Sequence, residues 1–241
     1  MINKLAVFYK VNDVGTKKLE DALIEIAPQI HRRISSAASP RVGILTLVDG
    51  AANTTPHVTS MGYTPTELRA FVEFGYEEAP LGGLIDIAGA MLPPIARLAD
   101  AQASYALAGR EYVFCPGEAA FTLRVFMGRS LDKSFEDFHS HWLNRHGWLV
   151  KPRVDSRNGA YRQFHADPKA SYFAAHAVGV GRHEFEGTAE AYQPDLETYL
   201  QSMSKVSNAI LEDEKRFMSA PDTEVGFYRI VLDLKRFLGT V

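Results

Sequence analysis

The stretch FTLRVFMGRSLDKSFEDFHSHWLNRHGWLV, residues 121–150, decides how this chain is to be read. Its first eight residues alternate. Phe121, Leu123, Val125 and Met127 fall on one face, and Thr122, Arg124 and Phe126 on the other, the pattern of a strand with two distinct sides. Ser134, with Asp137 three residues on, then opens a helix. At about 100° per residue, Phe135, Phe138, His139, Trp142 and His146 share one stripe, and Leu149 joins them if the helix runs past Gly147. Leucine would fill positions 139 and 146 equally well. Two imidazoles there cost free energy on burial unless each finds a partner, which marks them as candidates for chemistry.

Working outward, Gly159–His165 and Glu184–Tyr192 read as strands, Pro194–Met203 and Ala209–Met218 as helices, and Glu224–Leu234 as a closing strand. The order β-α-β-β-α-β is that of a ferredoxin-like unit. Upstream, Lys4–Val11 reads as a strand. Thr16–Arg33 reads as a helix with Leu19, Ala22, Leu23, Ile26 and Ile30 on one side, and Val42–Val48 as a second strand. Pro65-Thr66-Glu67 predicts a short helix over Thr66–Phe74, Gly83–Ala90 a third strand, Pro93-Pro94 a helix to about Ala99, and Ser104–Phe114 a further strand. The chain is therefore expected to be α+β: two tandem ferredoxin-like (βαββαβ) units, residues 1–117 and 118–241, packed sheet to sheet around an interior. The segment AVGVGRHEF, Ala177–Phe185, follows His176 and contains His183. It lacks dinucleotide-binding glycine spacing and reads as a mobile loop over that interior.

With a net charge of −3 and no basic block, the chain offers nothing to nucleic acid. Cys115 is the only cysteine, so no intramolecular disulfide forms, which suits a reducing compartment. The most apolar stretch, Leu81–Ala99, carries Asp86, two adjacent prolines and Arg97, so no membrane span is expected. The opening apolar run is too short for a secretory signal, and a cytoplasmic location is expected. No G-x-S-x-G or P-loop is present. His139 and His141 stand about 200° apart on a helix and cannot chelate one metal.

The second half resembles the EthD family of the dimeric α+β barrel superfamily. The strand FTLRVFMGR precedes a helix in which Phe138, Trp142 and His146 form F-x-x-x-W-x-x-x-H. Phe185–Tyr192 (FEGTAEAY) is similar to the family's Asp-Gly-Ala-Glu strand, and Glu212–Met218 (EDEKRFM) to its Asp-Glu-x-x-Phe helix. The His-x-P-L turn is only partly matched, since the proline is missing after Gly147. The first half looks like a degenerate copy. With Leu19 set against Phe135, the histidine position falls on Ile30, and Pro28 disturbs the helix. The resemblance implies a dimeric-α+β-barrel-like fold and cofactor-independent chemistry on small aromatic or polyketide-like molecules: dehydration, decarboxylation or cyclisation. It leaves a cofactor-free or haem-dependent oxygenase as the alternative, and a non-catalytic small-molecule binding protein as a third.

On this reading His146 is the general acid/base of a lyase or cyclase. Tyr161 and Arg124 hold developing negative charge. His139, Trp142, Phe126, Gln163, His165 and Leu149 are expected to bind the substrate. Tyr161, Gln163 and His165 share a strand face, which would be solvent-exposed if that strand were an edge. No metal and no cofactor are expected. The expected partner is a small organic substrate, with homodimerisation left open. The reading requires the His146 ring to line a hollow where the two units meet.

Overall fold

The computed structural model describes residues 1–35, 39–52, 56–117, 119–154, 159–182, 185–203 and 208–235. The first unit runs β1 (Ile2–Lys10), α1 (Asp13–Ile34), β2 (Arg41–Leu47), α2 (Pro56–Met61), β3 (Thr64–Pro65), β4 (Leu68–Glu77), α3 (Leu81–Met91), α4 (Pro93–Ala96) and β5 (Asp100–Cys115). The second runs β6 (Phe121–Phe126), α5 (Phe135–His141), a π turn (Trp142–His146), α6 (Gly147–Val150), β7 (Ala160–Ala166), α7 (Pro168–Val178), β8 (Gly187–Gln193), α8 (Leu196–Met203), α9 (Asn208–Glu214) and β9 (Glu224–Lys235).

Each unit orders its strands second–third–first–fourth: β2-β4-β1-β5 and β7-β8-β6-β9. All these pairings are antiparallel. The sheets do more than face each other. β5 pairs with β7 and β2 with β9, so hydrogen bonds run through both seams and close an eight-stranded barrel with no free edge. β7 is therefore an interior strand, and Tyr161, Gln163 and His165 are buried rather than exposed at an edge.

Strand alternation splits the buried residues into three groups. Inside the barrel, Phe8, Phe71, Tyr105, Phe126 and Tyr228 pack ring against ring. Outside the first sheet, Leu5 and Val7 meet Leu19, Leu23 and Ile30 of α1. Outside the second sheet, Leu123 and Phe227 meet Phe138 and Trp142.

Four expectations are corrected. Residues 68–77 form a strand, not a helix: Phe71 and Glu73 look into the barrel while Ala70, Val72 and Phe74 look outward, a period of two that the Pro-Thr-Glu signal at 65–67 masked. Gly83–Ala90 is helical, because Leu84, Ala88 and Met91 bury one stripe at spacings of four and three. The expected loop from Ala177 loses its first two residues to a helix, Pro168–Val178, capped by Asp167 and ended by Gly179 in the left-handed region. Ala170, Ala174, Ala175 and Val178 pack this helix on the first unit, where Ala177 meets Gly89 of α3. His183 lies outside the described residues. Finally, α1 runs unbroken through Pro28.

Candidate active site

The helix that carries the histidines begins as expected, with the Ser134 hydroxyl accepting from the Asp137 N–H. It does not stop at Gly147. Gly147 N–H reaches back five residues to the Trp142 carbonyl, and the helix continues to Val150. One residue is thus inserted into the turn. The insertion shifts the phase of everything after it, so Val150 takes the place in the wall expected for Leu149, which is only half-buried. Gly147 is needed for this approach: a Cβ there would run into the Phe114 ring and lie 2.9 Å from the Gln163 amide nitrogen.

Between this helix and the outer face of its sheet lies a cavity of about 110 Å³. Leu123, Val125, Ala189 and Ala191 form its floor, and Val150, Val154 and Ile210 close it from above. His146, Tyr161, Tyr199 and Glu214, with Gln193 and Ser202, supply its polar atoms. The hollow therefore sits within the second unit. Where the two units meet, the described residues leave only a smaller, charged cleft of about 40 Å³, lined by Lys4, Glu73 and Glu111 from the first unit and by Arg162 and Tyr192 from the second.

His146 is 4% exposed. Its Nδ1 lies 3.2 Å from Asp213 Oδ2, and its Nε2 lies 3.9 Å from Glu214 Oε1. A carboxylate only accepts, so Nδ1 carries a hydrogen, which leaves Nε2 as the ring nitrogen on the cavity side. His141 also grips Asp213 at 3.1 Å, and Arg145 Nε does so at 2.8 Å. Burial alone would raise the Asp213 carboxyl. The hydrogen bonds from His146 and His141 outweigh it and hold Asp213 well below the ordinary carboxylate range. Glu214 in turn accepts from the Tyr63 hydroxyl at 2.9 Å. The Tyr199 hydroxyl is buried with no hydrogen-bond partner among the described residues.

The expected site residues divide into three groups. His146 and Tyr161 line the cavity together. His139, Trp142, Gln163 and His165 lie buried or half-buried behind its wall, where Trp142 stacks on His165 at 4.1 Å. Arg124 and Phe126 are on the other side of the sheet. Arg124, expected to steady negative charge beside His146, is wholly buried inside the barrel in ion pairs with Glu190 and Glu73. Lys4 joins them, 2.6 Å from Glu190 and 2.7 Å from Glu111. Phe126 packs on Phe8 and Phe185. Strand alternation made this separation legible: Arg124 and Phe126 oppose Leu123 and Val125, which floor the cavity. Asp213, Glu214 and Tyr199 were not singled out. The signal for the first two stood in the EDEKRFM motif.

Among the described residues, no group of three or more His, Cys, Asp or Glu is placed to hold a metal ion. The cavity is a little smaller than the roughly 150 Å³ that takes up benzene in an engineered apolar core. It has room for about one ring, and a haem does not fit. No described helix is long and apolar enough to cross a membrane.

Residues 131–221 match the EthD domain. The EthD match spans the histidine helix, β7, α7, β8, α8 and α9, and leaves the first unit outside it. A search by sequence among curated proteins finds no match. Solved structures match nearly the whole chain at low identity. An anthrone oxidase-like protein superposes with a TM-score of 0.59 at 8% identity, covering 98% of this chain and 93% of its own. A candidate monooxygenase from Fusobacterium nucleatum gives 0.56 at 8%, covering 96% and 93%. A candidate chlorite dismutase gives 0.51 at 10%, covering 96% and 95%. The shared fold is the dimeric α+β barrel, here built from one chain.

Proposed function

We propose that the EthD-like layer is the active site of a cofactor-independent lyase or cyclase acting on a small aromatic or polyketide-like molecule. The observation that carries this reading is the Asp213–His146 pair. It orients the imidazole so that Nδ1 faces Asp213 and Nε2 faces a partly enclosed, mainly apolar cavity. In such a place Nε2 takes a proton from carbon next to a carbonyl, or from a hydroxyl. The imidazolium that forms is stabilised by Asp213, as in a nucleophile–histidine–carboxylate triad, and then returns its proton to the product. Tyr161, rather than Arg124, is the group that meets the developing oxyanion. The apolar floor and roof keep water from competing.

The test is exchange of the methyl protons of acetophenone into deuterated water, followed by proton NMR with the native chain and with His146→Ala. Exchange is expected to fall by about 10²–10⁴-fold in the folded variant, the usual range for general acid/base catalysis. Full exchange in that variant removes His146 from the role. The competing reading is oxidative, prompted by the candidate monooxygenase of the same fold. Oxygen uptake with substrate, without proton exchange, marks that case.

A further inference from the structure

Behind Tyr161, on the side away from the cavity, runs an unbroken line of hydrogen bonds. Arg129 Nε donates to Glu186 Oε1 at 2.7 Å. Glu186 Oε2 lies 3.1 Å from His139 Nε2, and His139 Nδ1 lies 2.7 Å from His165 Nδ1. His165 Nε2 lies 3.0 Å from Gln163 Oε1, and Gln163 Nε2 reaches both the Trp142 carbonyl and the Tyr161 hydroxyl oxygen at 3.1 Å.

The direction of every bond is forced. The Trp142 carbonyl only accepts, so the end of the Gln163 amide that faces it is the NH₂ and the other end is the oxygen. That oxygen obliges His165 Nε2 to donate. Burial, with the neighbouring His139 charge, pushes His165 down to about 2, so it is neutral and its Nδ1 is bare. The hydrogen between the two rings therefore belongs to His139 Nδ1. Glu186 makes His139 Nε2 a donor as well. Burial would raise Glu186, but hydrogen bonds from His139 and Arg129 bring it below its usual range, which keeps it an acceptor. At the far end, Gln163 has spent one N–H on Trp142 and gives the other to Tyr161. Tyr161 accepts from within the wall, and its own hydrogen is left for the cavity.

We propose that the line Glu186–His139–His165–Gln163 sets Tyr161 as a hydrogen-bond donor to the cavity, so that the site selects a single-ring molecule presenting an acceptor oxygen, a carbonyl or phenolate, at that point. Gln163 and His165 are thus positioning residues. The inference rests on the cavity being the reactive site, but it concerns binding and needs no turnover. Acetophenone exchange can fail while it stands, and the reverse.

The probes are benzaldehyde and toluene, similar in size, one with an acceptor oxygen and one without. The native chain is expected to bind benzaldehyde about 5-fold more tightly, within the range of one net hydrogen bond. The carbonyl stretch of bound benzaldehyde is expected at lower frequency than in alkane solvent. Tyr161→Phe removes the donor. Gln163→Glu turns the hydrogen of Tyr161 back toward the wall. Both are expected to abolish the preference and the frequency shift while leaving toluene affinity within about 2-fold. Nitrogen NMR of the native chain supplies a readout independent of the folding of any variant: of the four ring nitrogens of His139 and His165, only His165 Nδ1 is expected to be bare. Two bare nitrogens, no preference for benzaldehyde in the native chain, no binding of either probe, or a preference that survives in folded Gln163→Glu overturns the proposal.

Discussion

The helix layer of the first unit is solid, and that of the second is hollow and polar, on the same strand order. In the first unit Leu19, Leu23, Ala27, Ile30 and Ile34 of α1 lie over Val42 and Ile44 of β2, all fully or almost fully buried. In the second unit β7 holds the place of β2 and offers Tyr161, Gln163 and His165, while the helix over it offers Trp142 and His146. Each buried aliphatic side chain in the first layer contributes about 1.5–3 kcal/mol. Each imidazole or amide in the second needs a partner merely to break even. A single closed barrel joins the layers, so the apolar half supports the half that holds the cavity. The Ala-rich helix α7 strengthens this division by leaving the second unit's chain to pack on the first.

The sharpest way to break this contrast is to exchange its key residues. His146→Ile should give the second layer the filling of the first. Proton exchange is expected to fall by about 10²–10⁴-fold, while the thermal midpoint stays level or rises. Ile30→His should do the reverse, burying an imidazole in a wholly apolar face, and is expected to destabilise by at least about 2 kcal/mol in urea unfolding. A tolerated Ile30→His would mean that the two layers differ by descent rather than by physical constraint.

Much of this division was readable in residues. The alternation in FTLRVFMG separated Leu123 and Val125 from Arg124 and Phe126 correctly, and the stripe with Trp142 and His146 found the helix that roofs the cavity. Barrel closure was not readable, because backbone hydrogen bonds between β5 and β7 and between β2 and β9 depend on register and not on side-chain type. The π turn was equally silent. It hid the change of phase that brings Val150 inward in place of Leu149. Residues 68–77 and 81–91 were read with the wrong periods for a related reason. Both are short apolar runs, and only their packing partners decide between helix and strand.

The barrel interior, where the units meet, gives the next prediction. Glu190 is wholly buried and holds Lys4 at 2.6 Å, Arg124, and the Tyr192 hydroxyl at 3.0 Å. Glu190→Gln leaves Lys4 and Arg124 with only Glu73 and Glu111, one buried negative charge fewer, and is expected to cost about 3–5 kcal/mol, read by urea unfolding of the whole chain. The same cluster sets the acid limit of the native fold. Glu73 would be raised by burial, but Arg124 and Lys4 pull it down to about 2. Glu111 is likewise lowered by Lys4 and Arg162. A folded-state value below the unfolded value of about 4.3 stabilises the fold above that pH, and the contribution is lost as pH falls toward 2. His165 is held down to about 2 in the fold against about 6.5 unfolded, so the unfolded chain takes up a proton that the native one does not, and stability is expected to decline already below about pH 6.5 and more steeply below about 4, followed by circular dichroism. Stability that stays level down to about pH 5 would mean that His165 takes up its proton within the fold.

The smallest effect tests the π turn through a pair of glycines, one in each unit. Gly82 in α3 is exposed, and a Cβ there meets nothing within 4 Å. Gly82→Ala should therefore gain up to about 1 kcal/mol from helix propensity. Gly147 occupies a helix too, with ordinary helical backbone angles, so propensity alone predicts the same gain. Its surroundings predict the opposite. The Phe114 ring and the Gln163 amide leave no room, and Gly147→Ala is expected to lose about 1–3 kcal/mol through overpacking. Because Gln163 would be pushed from Tyr161, the benzaldehyde preference should fall along with the thermal midpoint. Opposite signs at the two glycines would tie the helical insertion to the cavity wall. A gain at both would show that the second layer yields as easily as the first surface does, and that the position of Gln163 does not depend on the turn above it.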